Sequence, residues 1–308
     1  DATKGWIPVS DAAVTDAPVA PPTQKALFGY GQTGSHSSLT NLVSSSGVVA
    51  SDTTGVGTAR STLAAASYGG DKAIFGYGNS GSASSLTNLV NNSGVVAANV
   101  TGVGTPRYGL AAAGYGTDKA IFGFGWTGSG SRIATTNLVS SSGVVASDTT
   151  GVGTGRESAG AAGYGGDKAI FAFGAPSGYT NVSNLVSNLG VVATDTAGVG
   201  TARATAATGY GTDKAIFAYG YNGGNLSLSN LVSNLGVVAS DTTGVGTSRR
   251  QIAAAGYGGD KALFGYGYVS GKVSMTNLVN NSGVVSADVT GVGTERYDLA
   301  AAGYSISA

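Results

Sequence analysis

The residues of this chain that could do chemistry are few, and almost all of them recur. His36 is the single histidine, set in a Gly-Ser-His-Ser-Ser stretch. It reads as a solvated loop residue, and it leaves the many serines without a second base from which to build a Ser/His/Asp triad. Cysteine is absent, which removes disulfides, zinc–thiolate sites and thiol nucleophiles. Charged residues make up 10% of the 308, with 16 basic balanced by 16 acidic. Twelve of the basic residues are Lys25, Lys72, Lys119, Lys168, Lys214 and Lys261 together with Arg60, Arg107, Arg156, Arg203, Arg249 and Arg296. Ten acids recur as well: Asp71, Asp118, Asp167, Asp213 and Asp260 before the lysines, and Asp52, Asp148, Asp195, Asp241 and Asp288 in Asp-Thr/Val-Thr/Ala-Gly turns. A charge that appears once per repeat reads as scaffold, because catalysis requires one asymmetric constellation. Each Asp turn supplies a single carboxylate where a calcium loop uses several. The expectation is therefore no enzyme, no metal and no cofactor. The charge balance gives no footprint for nucleic acid, and no apolar run reaches the length of a membrane span.

The elements that must position these residues are six near-identical copies of one segment built on Asp-Lys-Ala-Ile-Phe-Gly-Tyr-Gly. Their lysines are spaced by 47, 47, 49, 46 and 47 residues, and one further period from Lys261 reaches residue 308. Tandem units with a period in the forties are the signature of propeller blades, each burying its apolar faces against its neighbours. Residues 60–107 serve as the template. Arg60-Ser-Thr-Leu-Ala-Ala-Ala-Ser-Tyr-Gly predicts an inner strand, where small side chains suit blades converging on an axis. A Gly-Gly-Asp turn leads to Lys72-Ala-Ile-Phe-Gly-Tyr-Gly, apolar on both faces as a strand sandwiched between blades should be. Leu86–Val90 predicts a third strand, Asn-Asn-Ser-Gly a hairpin turn, and Val95 onward a fourth. The expected fold is all-β, a six-bladed propeller of four-stranded antiparallel blades. The first copy opens at strand two (Lys25-Ala-Leu-Phe) and the last ends at strand one (Leu299-Ala-Ala-Ala-Gly-Tyr). One blade should therefore pair its C-terminal inner strand with N-terminal strands and close the ring.

An arginine, a small-residue strand, a Tyr-Gly turn and an aliphatic-aromatic strand ending in Gly-x-Gly resemble the kelch repeat, over residues 25–308 in six copies. The chain departs from that family in spacing its glycines around Tyr, Phe or another residue and in lacking the late-blade tryptophan. Such arrays are also similar to kelch-like virion proteins of marine bacteriophages. The resemblance implies a binding or structural propeller. Copper-radical oxidases share that architecture, but the histidines and cysteine of their metal site are missing here.

The copies differ in two places: the stretch between strands two and three, and the residues just after each repeat arginine. Alternating strand direction puts both on one rim of the disc. Variable loops on a rigid frame are where recognition is built, and Trp126, Tyr179, Tyr221 and Tyr268 are large aromatics among small residues, suited to stacking on sugars or filling a partner's pockets. Tyr108, Tyr297 and His36 share that rim. Residues 1–23, outside the period, form an extended arm with four prolines and an apolar anchor at Trp6 and Ile7, able to dock onto its own propeller or onto a neighbour in a capsid or tail; 24–308 form the propeller. The functional expectation is a non-enzymatic, surface-displayed module, on a virion or extracellular, presenting the rim to a glycan or host-surface protein. The alternative is a soluble carbohydrate-binding lectin. The alternation of side chains along a strand also predicts that Lys72 does not pair with Asp71.

Overall fold

A computed structural model describes residues 24–305. Those residues are all-β, with eighteen strands and no helix. In chain order they are β1 (Lys25–Gly29), β2 (Thr40–Val43), β3 (Ala64–Tyr68), β4 (Lys72–Asn79), β5 (Ala83–Val90), β6 (Ala111–Tyr115), β7 (Lys119–Gly123), β8 (Thr136–Val139) and β9 (Gly160–Tyr164). They continue with β10 (Lys168–Ala172), β11 (Ser183–Val186), β12 (Ala204–Tyr210), β13 (Lys214–Tyr221), β14 (Asn225–Val232), β15 (Ala253–Tyr257), β16 (Lys261–Tyr268), β17 (Lys272–Val279) and β18 (Ala300–Tyr304). They form six three-stranded antiparallel sheets. The inner strands β3, β6, β9, β12, β15 and β18 neighbour one another in cyclic order, so the sheets stand like propeller blades about one axis. Blade 1 is β18-β1-β2 and the rest follow in sequence order, blade 2 being β3-β4-β5. In blade 1 the C-terminal strand pairs with the N-terminal one in register, from Lys25 opposite Tyr304 to Gly29 opposite Ala300.

The blades have three strands, not the expected four. The fourth segment touches the third by two isolated bridges, Val43–Val49 and Thr40–Thr53 in blade 1. Two residues separate Val43 from Thr40, but three separate Val49 from Thr53, so the outer segment carries one extra residue. A bulge of this kind interrupts a ladder and re-aims a side chain. In blade 1 the re-aimed chain is Asp52, which accepts a hydrogen bond from Asn41 of β2 at 2.9 Å and one from the Thr294 amide.

Inner strands are alanine-rich because they wall a narrow axial channel of about 290 Å³, lined by Ala66, Ala113, Ala162, Ala207, Ala255 and Ala302 among others. Buried aromatic and aliphatic residues fill the space between blades. Phe28, Phe75, Phe122, Phe171, Phe217 and Phe264 are fully buried, and Phe75 stacks edge-on against Tyr30 of the previous blade at 5.0 Å.

The repeat arginines are the pins of this frame. All six are fully buried. Arg156 donates from Nε to the Phe173 carbonyl (2.8 Å), from Nη2 to Asn184 (2.7 Å) and from Nη1 to the Thr154 carbonyl (3.1 Å), while its guanidinium lies 4.0 Å above the Phe124 ring of the preceding blade. The other five repeat the pattern. Burial pushes the Arg156 guanidinium down to about 10, against the pull of Asp195, so it stays charged at neutral pH. The residue at the centre of each Gly/Ala-x-Gly (Tyr30, Tyr77, Phe124, Phe173, Tyr219, Tyr266) has φ of 60–64°. Such a left-handed aromatic is strained by about 1–3 kcal/mol. It is held because its carbonyl receives one arginine while its ring carries the next.

In four blades the arginine Nη1 lies 3.7–4.0 Å from an Asp carboxylate. Burial works to raise the Asp52 carboxyl, but hydrogen bonds from Thr294 and Asn41 and the charge of Arg296 hold it below its ordinary value. Blade 2 has Asn99 in that place, keeping the hydrogen bonds to Thr58 but leaving buried Arg60 without a counter-charge. Asn99→Asp should therefore stabilise the protein by about 1 kcal/mol, the upper range for a partly exposed pair. The new carboxyl, depressed like its equivalents, contributes in full above the unfolded value near 3.9 and loses its effect as pH falls through the lower folded value. Melting curves at pH 7 and pH 3 check both parts; equal gains at the two pH values would exclude an ionic origin.

Lys72 does pair with Asp71, Nζ to Oδ1 at 2.7 Å, contrary to the expectation from strand alternation. Asp71 sits in the turn that precedes β4, so the alternation rule does not reach it. The pair is well exposed (42% and 30%), and such pairs contribute little.

Candidate functional site: the variable rim and its cleft

The two variable segments of each copy meet. The residue after each repeat arginine pairs with the residue after each Gly/Ala-x-Gly: Tyr297 with Gln32, Ser61 with Asn79, Tyr108 with Trp126, Glu157 with Ala175, Arg250 with Tyr268, and Ala204 with Tyr221. The positions where the copies differ thus form six cross-strand pairs on one face of the ring.

The rim aromatics fall into two groups. Tyr108 and Trp126 stack edge-on at 5.1 Å, with Arg132 6.0 Å from the indole and bound to Glu157 through Nε and Nη2 (3.0 and 2.7 Å). The other group is continuous: Tyr179 on Tyr221 (6.1 Å), Arg250 between Tyr221 and Tyr268 (4.6 and 5.1 Å), and Tyr268 on Tyr297 (5.4 Å). Of these aromatics Tyr179 is the most open, 40% exposed; the others are half-buried. Trp126 is not a free platform, since its indole Nε1 is enclosed without a partner. His36 is not the solvated loop residue expected. It is half-buried, bridged to Gln32, with Nδ1 enclosed and unpartnered, because its loop folds back over the strand end. Trp6 and Ile7 lie outside the described residues.

At the axis, the second residue after each arginine adopts positive φ in five blades: Thr62, Gly109, Ser158, Gln251 and Asp298, at 51–62°. The kink joins neighbouring blades through backbone amides. Asp298 donates to Gln251, Thr62 to Asp298, Gly109 to Thr62, Ser158 to Gly109 and Thr205 to Ser158, at 2.7–3.4 Å. The third residue after the arginine then turns inward as an apolar plug: Leu63, Leu110, Ala159, Ile252 and Leu299, all buried.

Blade 5 breaks both patterns. From Arg203 to Lys214 the chain has one residue fewer than in the other blades. Thr205 has no positive φ, strand β12 extends to Ala204 through a bulge at Thr205, and no plug residue exists. Among the described residues the amide chain is open at this joint, with no bond from Gln251 to Thr205. Beside it, blade 4 carries only Ala159 as plug. The result is a cleft of about 480 Å³ at the channel mouth, bordered by Glu157, Ser158, Tyr179, Thr205, Tyr221, Arg250, Gln251 and Asp298. That volume falls within the range of about 300–1,000 Å³ found for small-molecule sites. Burial pushes the Asp298 carboxyl up to about 7, although Gln251 donates to it at 2.9 Å and Arg250 draws it down. The plugs Leu63, Leu110, Ala159, Ile252 and Leu299 also line it, so the cleft joins an apolar surface to aromatic rings and polar groups, which suits holding a polar ring. No group of metal-binding side chains occurs among the described residues.

Of the residues singled out in the sequence, Tyr179 and Tyr221 reach the cleft, and Tyr268 reaches it through Arg250. Tyr108, Trp126, Tyr297 and His36 lie elsewhere on the rim. Asp298 and Gln251 were not anticipated; the signal for them was the 46-residue spacing between Lys168 and Lys214. No protein-family model matches the chain, and no curated protein does.

Proposed function

We propose that the chain is a non-enzymatic recognition module of kelch-like propeller type, which holds a carbohydrate at its variable rim. One observation carries this reading: the positions that vary between copies pair with one another on a single face, and large aromatics gather there among small residues. Aromatic rings packed beside hydrogen-bonding side chains provide the two contacts a sugar offers, an apolar ring face and an edge of hydroxyls. The six-fold repetition of the repeat arginines and lysines supports reading their chemistry as scaffold. The opposite face is nearly uniform and suits attachment, with residues 1–23 as an arm to a larger assembly. Display on a virion or another extracellular surface belongs to the same proposal, and a cysteine-free chain tolerates such a setting.

The test is a glycan array read with the intact protein and with rim variants Trp126→Ala and Tyr179→Ala. Binding that is lost in at least one rim variant, and kept in a control changed on the opposite face (Val191→Thr), is the expected result. Binding by all three alike, or to no glycan at all, would exclude the rim as a sugar site and leave a protein partner as the reading to pursue.

A further inference from the structure

Resting on that reading, we infer that the cleft opened by the missing residue of blade 5 is the ligand site, and that its ligand is an acidic sugar whose carboxylate is taken by Arg250. Three independent features meet there. The first is room: deletion of the plug in blade 5 and its reduction to Ala159 in blade 4 leave space that the equivalent joints fill with Leu63, Leu110, Ile252 and Leu299. The second is a preset cation. The Arg250 guanidinium is stacked between Tyr221 and Tyr268, and none of its N–H groups is bonded to another described residue, whereas each repeat arginine donates three hydrogen bonds. A planar fork oriented on its faces and open at its edge matches a carboxylate in bidentate fashion. The third is the remaining lining. Tyr179 presents an accessible ring at the mouth, while Ser158, Gln251 and Asp298 supply hydroxyl and planar amide and carboxyl groups for hydroxyls.

The two acids of the cleft oppose an anion only weakly. Glu157 is neutralised by Arg132. Asp298 already stands near 7 through burial, and a carboxylate placed beside it favours its neutral, hydrogen-donating form. A bare carboxylate would leave most of the space empty, whereas a uronate adds a ring to lie against the aromatic groups and hydroxyls to meet the polar ones.

The experiment measures binding of uronate oligosaccharides, and of the same oligosaccharides with their carboxylates reduced to alcohols, to the intact protein and two variants. Ala159→Leu restores the plug that other blades carry and should fold normally; Arg250→Gln keeps the shape and removes the charge. Circular dichroism melts verify that both fold. The expected result is uronate binding by the intact protein, weakened at least about tenfold by reduction or by Arg250→Gln, as for loss of a charge-assisted pair, and abolished by Ala159→Leu. Equal affinity for acidic and reduced forms overturns the acidic-sugar assignment, and undiminished binding by both variants overturns the cleft; each leaves rim recognition standing. If the intact protein binds no sugar of either kind, the broader reading fails as well.

Discussion

Removal of residues 297–308 should abolish the folded monomer. The deletion takes away β18, the inner strand of blade 1. Strand β1 loses its five paired positions and keeps β2 alone, and two-stranded units are marginal in water. The loss also exposes apolar surface: Leu299 and Tyr304 are 5% and 2% exposed in the ring, and each such side chain contributes about 1.5–3 kcal/mol on burial. Cyclic contact between inner strands is broken at two joints together, β15 to β18 and β18 to β3. The total exceeds about 5 kcal/mol, comparable with the whole stability of an ordinary domain. An exposed edge strand recruits whatever strand it meets, so the truncated chain should form concentration-dependent oligomers. Light scattering coupled to size exclusion, with a melting curve, reads the outcome. A monomer with unchanged melting temperature would show that the C-terminal strand does not close the ring.

Replacing a single repeat arginine should be nearly as damaging. Arg156→Met keeps much of the side-chain volume but removes three hydrogen bonds and the cation over Phe124. It leaves the Asn184 oxygen and the Phe173 carbonyl buried without their donor. Buried unpaired polar groups cost about 1–3 kcal/mol each, and breaking a buried charge pair costs about 3–5 kcal/mol. Phe173 also loses the contact that holds its left-handed backbone. We expect a loss of about 3–5 kcal/mol by chemical denaturation. The same change at exposed Lys168, whose partner Asp167 lies in a turn, should cost less than about 1 kcal/mol. Similar losses at both sites would contradict the division between buried pins and surface pairs.

The sequence announced the strands and the inner-strand alanines because each is repeated six times, and a repeated signal in a fixed register is hard to misread; the closing pair showed in the offset between the first copy, which opens at strand two, and the last, which ends at strand one. The fourth strand misled for a local reason. Val-Val-Ala followed by Ser-Asp-Thr looks like an ordinary strand, and the bulge that frees Asp52 to reach Asn41 leaves no compositional trace. Lys72 and Asp71 misled because the strand begins one residue later than the alternation rule assumed. The cleft was legible in principle. A repeat one residue short just after Arg203 marks a joint that cannot close like the rest, whereas Asp298 and Gln251 lie 119 and 72 residues along the chain from Tyr179, too far for sequence proximity to link them. Their meeting is a property of the ring, which brings blades 1, 4, 5 and 6 to one axis.

The chain of amides at the channel mouth behaves as a split collar. Five joints are fastened and the sixth, between Thr205 and Gln251, is not. A molecule seated in that gap touches blades 4, 5 and 6 at once and becomes the missing fastener. Occupancy and ring integrity are then linked: binding to the folded form alone raises stability with ligand concentration, by about 2.7 kcal/mol at a hundredfold excess over the dissociation constant. The melting temperature of this protein is therefore itself a gauge of whether its mouth is filled.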